Sequence, residues 1–272
     1  MNKKINMMYF SATGTTRKIV SGITKKISEN IDMDIAINEI DFTMPEIRKE
    51  PVQFTEDDVV IIGVPVYAGR VPNVLLKYLN SVVGSDTLAI PVVVYGNRNY
   101  DDALIELADI LELNGFKVIA GGAFIGEHSF SKTLAKNRPD EKDMNIACDF
   151  ANQIYKKITT EDKNQAVIVN GTKPYRKYYK PVTKEGITVD IRKVTPRTNS
   201  NCNDCKRCVS ICPMGSIDFE DVSKLKGICI KCGACIKKCP TNAKYYDDVN
   251  YLRHKQELEV QFAYRREPEL FI

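Results

Sequence analysis

The chain reads as an α/β protein in two parts: a doubly wound parallel sheet of five strands within residues 1–160, then a small α+β cysteine-rich domain at 199–246. Three observations predict this. Apolar runs of strand length alternate with amphipathic helical stretches through the first 160 residues, the pattern of a parallel sheet covered on both faces. Eight of the nine cysteines fall into two runs that lie in register 27 residues apart. A length of 272 residues with 43% hydrophobic side chains suffices for two cores.

The elements follow in order. INMMYF at 5–10 is a first strand, and the stretch from Thr15 to Glu29 is helical. A second strand is expected from Asp34 to Ile40 and a third in DVVIIGV at 58–64. A helix over 72–82 leads to LAIPVVVY at 88–95, the fourth. DDALIELADILELNG at 101–115 puts Leu104, Leu107, Ala108 and Leu111 on one helical face, and FKVIAGGAFI supplies the fifth strand. A last helix runs from Pro139 to Lys157, with Cys148 read as a small core residue on it.

The turn after the first strand, SATGTT, enters a helix directly. Backbone N–H groups and the hydroxyls of Ser11, Thr13, Thr15 and Thr16 meet at a positive helix end, which forms a phosphate cradle without a lysine. A Ser/Thr cap with no ligand is the bland alternative. Neither G-x-G-x-x-G nor G-x-x-x-x-G-K-[ST] is present, which argues against a dinucleotide or a nucleoside triphosphate. In open α/β sheets a ligand sits beyond the strand carboxyl ends, where the strand order reverses. Those ends carry SATGTT, PVYAGRVP at 65–72 and YGNRNYDD at 95–102.

The cysteine runs, Cys202, Cys205, Cys208, Cys212 and Cys229, Cys232, Cys235, Cys239, each end in proline. This C-x2-C-x2-C-x3-C-P spacing is that of bacterial two-cluster ferredoxins, where three thiolates hold one cubane and the fourth reaches the neighbouring cluster. It assigns Cys202, Cys205, Cys208 and Cys239 to one [4Fe-4S] cluster, and Cys229, Cys232, Cys235 and Cys212 to the other. Zinc knuckles use cysteines in pairs and have no need of a triplet followed by C-P. A disulfide framework requires an oxidising compartment, whereas the six-residue stretch INMMYF after the N-terminal lysines is too short for a secretory core.

Net charge is +4 and unevenly spread: residues 161–201 hold nine basic and four acidic side chains. Their Tyr175–Lys180 strip has the look of a nucleic-acid contact. A connector packed on a domain is the preferred reading, with AVIVNG at 166–171 and GITVDI at 186–191 pairing as short strands, and no nucleic-acid partner is expected. No apolar run approaches membrane length, so no membrane span and a cytoplasmic location are expected.

Residues 1–160 resemble a flavodoxin-like domain, through SATGTT and the two loops facing it. The resemblance implies strand order 2-1-3-4-5 and FMN, with its phosphate on Ser11, Thr13, Gly14, Thr15 and Thr16. It also implies that Pro65, Tyr67, Ala68, Gly69, Gly96, Asn97, Arg98, Asn99 and Tyr100 surround the isoalloxazine. The absence of tryptophan excludes a Trp/Tyr sandwich. Arg70 and Arg98 depart from the acidic flavin surroundings of carrier flavodoxins. A guanidinium at the pyrimidine edge would favour the anionic, fully reduced flavin, whereas pairing with Asp101 or Asp102 would make these arginines structural. His128 is expected to be structural rather than a proton donor.

With the cysteine domain, the chain resembles the flavodoxin–ferredoxin fusion proteins of anaerobes. The divisions expected are 1–160, a connector at 161–198, the cluster domain at 199–246 and a tail at 247–272 with a short helix at 249–261. The resemblance implies intracellular electron transfer between two [4Fe-4S] clusters and FMN, with redox proteins as donors or acceptors. FMN-dependent reduction of a quinone, flavin or nitro compound is the alternative, and a redox sensor the second. A small-molecule acceptor and a homodimer stay open.

Overall fold

The computed structural model describes residues 4–31, 36–183 and 186–272. Its central sheet contains β1 (Lys4–Tyr9), β2 (Ile37–Asp41), β3 (Asp58–Pro65), β4 (Thr87–Tyr95) and β5 (Gly121–Ile125). These pair in parallel in the order 2-1-3-4-5, with Ile5 opposite Val59, Ile61 opposite Ile90 and Val93 opposite Ala123. That is the flavodoxin-like order, with its reversal point between β1 and β3. The expected residues Asp34 and Ile35 of the second strand lie outside the described residues.

Successive side chains of a strand point to opposite faces, and both faces are buried. Val60 and Ile62 join the core under α2 (Asn73–Leu79) and α3 (Ala103–Leu113). Val59 and Ile61 join the opposite core with α1 (Thr15–Ile31) and α4 (Glu141–Thr159). Ile19, Ile23 and Ile27 supply the buried stripe of α1 at helical spacing. A capping box between Asp140 and Asp143 starts α4. Cys148 is a half-buried free thiol beside the buried Ala147.

FKVIAGGAFI makes two strands instead of one: Phe116–Val118 pairs with the start of β4, and β5 begins at Gly121. A further strand comes from the tail. After the helix Val249–Gln261, the chain returns as Glu269–Phe271 and pairs antiparallel with β5, Leu270 opposite Gly122. The edge of β5 is thereby paired, and the new edge is a strand of only three residues, a short template for pairing with another chain.

AVIVNG and GITVDI do not pair. Val167 and Val169 pack on the hydrophobic core, and the connector's own antiparallel bridge joins Val182 to Thr188. The basic strip is fixed to α3. Asp102, fully buried, accepts from the amides of Thr172 (3.0 Å) and Arg176 (2.6 Å), and Lys173 pairs with Asp109 at 2.7 Å. Among the described residues no helix is long and apolar enough to cross a membrane.

Candidate functional site

At the strand carboxyl ends, the SATGTT turn is ordered from within. The Ser11 amide donates to Thr43 Oγ1 at 2.8 Å, and Ser11 Oγ accepts from the Arg17 amide at 3.0 Å, so this hydroxyl serves as a cap. Gly14 has φ 98°, a left-handed conformation that favours glycine. Thr13, Thr15 and Thr16 line a crevice together with Pro65, Tyr67, Gly96, His128 and Cys232. The crevice adjoins a larger cavity of about 610 Å3, which shares Val66, Tyr67, His128 and Ser129 with it and adds Ala68 and Arg98.

The structure thus brings Thr13, Thr15, Thr16, Pro65, Tyr67, Ala68, Gly96 and Arg98 to two adjoining spaces that share the Tyr67 wall. Ser11 and Gly14 shape the turn but line neither space. The remaining expected flavin contacts are used elsewhere. Gly69 is buried at φ 79° against Asp101, and the exposed Asn99 accepts from the Asp101 amide at 2.9 Å. Asn97 is buried and donates to the carbonyls of Phe262 and Tyr264, both at 2.7 Å. Tyr100 is buried against Tyr95, ring centroids 5.5 Å apart, and donates to Glu269 at 2.5 Å. Asn97 and Tyr100 therefore hold the tail, a role without local sequence signature because their partners lie more than 160 residues away.

The two arginines also differ. Arg70 makes a two-pronged bond to Glu106 (2.7 and 2.6 Å) and lies over the rings of Tyr175 and Tyr178, so it clamps the connector. Arg98 pairs with Asp101 and stacks over Tyr179 at 4.7 Å while facing the large cavity. Burial, with smaller contributions from Lys237, His254 and Arg98, pushes His128 down to about 3. Its Nδ1 accepts from the Phe130 amide at 3.1 Å, so at neutral pH it is an uncharged ring and not an imidazolium acid. Burial raises Tyr67 well above the usual tyrosine range, with the Cys232 and Cys229 side chains as further contributors.

The cysteine runs fold alike. Each leads into a four-residue helix, Arg207–Ser210 or Ala234–Lys237, entered through left-handed backbone at Lys206 or Gly233. One cavity is lined by Cys202, Cys205, Cys208 and Cys239, and another by Cys212, Cys229, Cys232 and Cys235. In each, the distant fourth cysteine sits with the triplet of the other run. Burial pushes Cys232 up to about 12, so without a ligand its side chain is a neutral thiol at pH 7.

The second run is docked on the sheet domain. Cys232 and Ala234 belong to the core that includes Val64 and Leu75, and Lys237 pairs with Glu127 at 3.0 Å. The end of the first run is tied down as well, where Arg48 donates to the Pro213 carbonyl at 2.7 Å. The tail closes the assembly: Glu259 accepts from Ser131 at 2.5 Å, and Arg265 pairs with Asp140 at 2.6 Å. No local signal marks Cys232 and Ser129 as borders of the crevice, because the docking joins segments about 100 residues apart.

Residues 201–243 match a family model described as a 4Fe-4S dicluster domain. The comparison with curated proteins gave no match. Among solved structures, the chain is similar to a flavodoxin from the domain Archaea (15% identity, covering 58% of this chain and 99% of that one, TM-score 0.41). It is similar to oxidised flavodoxin 1 from Bacillus cereus (17% identity, 58% and 100% covered, TM-score 0.41). A further similarity is to a Fusobacterium nucleatum flavodoxin variant bound to flavin mononucleotide (18% identity, 59% and 99% covered, TM-score 0.40). By its 2-1-3-4-5 strand order and its matched cysteine runs, the chain is a fusion of a flavodoxin-type sheet with a 4Fe-4S dicluster domain.

Proposed function

We propose that the chain is an iron–sulfur flavoprotein that passes single electrons between two [4Fe-4S] clusters and FMN. The two four-cysteine cavities support one cubane each, with Cys239 and Cys212 as the crossed fourth ligands. Thr13, Thr15 and Thr16, at the start of α1, would hold the flavin phosphate, and Tyr67, Ala68 and Arg98 would border the ring. Bound there, FMN would supply the exchange between one-electron and two-electron chemistry. Pro65 and Gly96 complete the crevice, and neutral His128 excludes water from it without adding charge.

One observation carries the reading. Cys232 lines the same crevice as the three threonines, and Cys229 lines the same cavity as Tyr67 and Arg98. The second cysteine set therefore adjoins the flavin crevice within one chain. The first set, with exposed Cys205, faces outward and suits exchange with a redox protein. Anaerobic reconstitution should give one FMN and iron and sulfide equivalent to two cubanes per chain, and Thr15→Val with Thr16→Val should lower FMN retention alone. A preparation holding zinc and no iron would overturn the proposal.

A second reading is favoured by the size of the cavity. About 610 Å3 lies within the roughly 300–1,000 Å3 range of small-molecule sites. The cavity runs past Arg98 to Tyr178, Tyr179, Ile191 and His254, leaving room beside a flavin edge for a planar acceptor. Steady turnover of a quinone with dithionite-reduced protein, saturating in quinone, would establish the reductase reading. Electron exchange with a carrier protein alone would leave the transfer role.

A further inference from the structure

The two cysteine runs are copies, and the structure repeats their backbone. Asp204 and Lys231, Lys206 and Gly233, and Gly215 and Asn242 occupy equivalent positions, and all six have φ between 54° and 73°. The amides of Ser216 and Ala243 donate to Cys212 and Cys239 sulfur at 3.4 and 3.2 Å, again at equivalent positions. Within this symmetry one pair carries opposite charge. Asp204, just before the second cysteine of the first run, has a side chain 61% exposed and pairs with Lys206 at 2.9 Å. Lys231, its counterpart, is 9% exposed, and its ammonium donates to the carbonyls of Arg192 (2.7 Å) and Cys229 (3.1 Å).

The hydrogen-bond partners of Lys231 are neutral carbonyls, and among the described residues no carboxylate forms an ion pair with it, although the Asp190 carboxylate acts on it from further off. Its charge is mostly buried, at the wall of the large cavity and beside the second cysteine set, whereas the charge of Asp204 is paired and exposed; the buried Lys244 acts on cysteines of both sets and does not distinguish them. Reduction adds one negative charge to a cubane. Burial of the second set disfavours that added charge, and a buried cation favours it.

We infer that Lys231 is a positioning residue that holds the reduction potential of the second cluster above that of the first. An electron entering at the exposed first set then moves on to the second and toward the crevice. The step transfers one electron: the first cluster is oxidised by one equivalent and the second reduced by one, with no proton or bond change. A low-potential one-electron carrier protein, or dithionite in the test, supplies it. The inference rests on the two-cluster reading.

The test is an anaerobic redox titration of the full, loaded chain followed by paramagnetic resonance, with iron and flavin analysed on the same samples. The wild type should show two separated cluster waves. Lys231→Gln, which keeps a donor for the two carbonyls but removes the charge, should lower the upper wave and leave the lower one in place, and Lys231→Arg should keep the wild-type pattern. If Lys231→Gln fails to take up iron, Asp204→Lys decides the matter, because a cation beside the first set should narrow the separation. Coincident wild-type waves, an upper wave unmoved in Lys231→Gln, or an unchanged separation in Asp204→Lys would overturn the inference. Iron short of two cubanes in the wild type would instead defeat the function on which it rests.

Discussion

The carbonyl oxygen of Ser129 lies 2.5 Å from where a Cβ on Gly233 would stand, so the second cysteine run rests backbone to backbone on the crevice wall. Gly233 also has φ 73°, which costs other residues about 1–2 kcal/mol. Both constraints select glycine, and they act on the contact that brings Cys232 to the crevice. Gly233→Ala should loosen this docking and destabilise the protein by about 1–3 kcal/mol, seen in urea unfolding. Stopped-flow reduction of the loaded variant should show flavin lagging behind the clusters. A flavin reduced as fast as in the wild type would mean that the docking does not set the electron path.

The Tyr100–Glu269 bond predicts a separation of stability from flavin binding. Tyr100 is buried with its hydroxyl on the tail, so Tyr100→Phe should cost about 1–2 kcal/mol by leaving the Glu269 carboxylate with only the longer bond from Asn170 at 3.3 Å. FMN affinity, measured by flavin fluorescence, should be unchanged. Weaker FMN binding without loss of stability would restore Tyr100 as a ring contact.

The contrast between Tyr67 and Tyr100 shows how far the sequence is legible. Strand runs such as DVVIIGV and the stripe of Ile19, Ile23 and Ile27 are local signals, and they place every major element, the helix at 249–261 included. The threonines of SATGTT converge because a strand–turn–helix path dictates it. Asn97 and Tyr100 sit in a loop whose pattern is equally compatible with a ligand or a tail, and only the return of Phe262–Glu269 decides. Three residues of edge strand carry no readable periodicity, so the strand Glu269–Phe271 has no local signal in the sequence. Across the cysteine domain, spacing alone matches the way Cys239 and Cys212 cross between cavities, because covalent geometry leaves a short repeat few ways to gather four thiols.

Asp102 predicts a pH dependence with a definite sign. Burial alone would raise its carboxyl, but bonds from the Arg176 and Thr172 amides, with the Thr172 hydroxyl and the Arg176 guanidinium, bring it below the usual value. A carboxyl lowered by folding stabilises the fold above its unfolded value of about 3.9, and this contribution disappears as pH falls through the lowered folded value. Asp102→Asn should therefore cost about 1–3 kcal/mol, by a constant amount from pH 8 to pH 5 in urea unfolding. Proteolysis should then cut the connector near Arg176 first. A cost that varies between pH 8 and 5 would mean that another group, such as a histidine, is responsible.

Arg98 bears on what the flavin can deliver. Its guanidinium faces the cavity but is paired with Asp101 and stacked on Tyr179, so part of its charge is already answered. What remains still favours an anionic reduced ring, by on the order of 1 kcal/mol at an effective dielectric near 20. Arg98→Ala should make the second flavin electron harder to add, lowering that potential in a spectroelectrochemical titration. Asp101→Asn should raise it, because the pairing carboxylate is gone while the cation stays. The opposite signs separate an electrostatic role from a packing one, since loss of packing on Tyr179 would not reverse with the partner substitution. Should both variants leave the second potential where it was, Arg98 would be a structural residue that binds the 95–102 loop to the connector, and the flavin's two-electron capacity would need another source of positive charge.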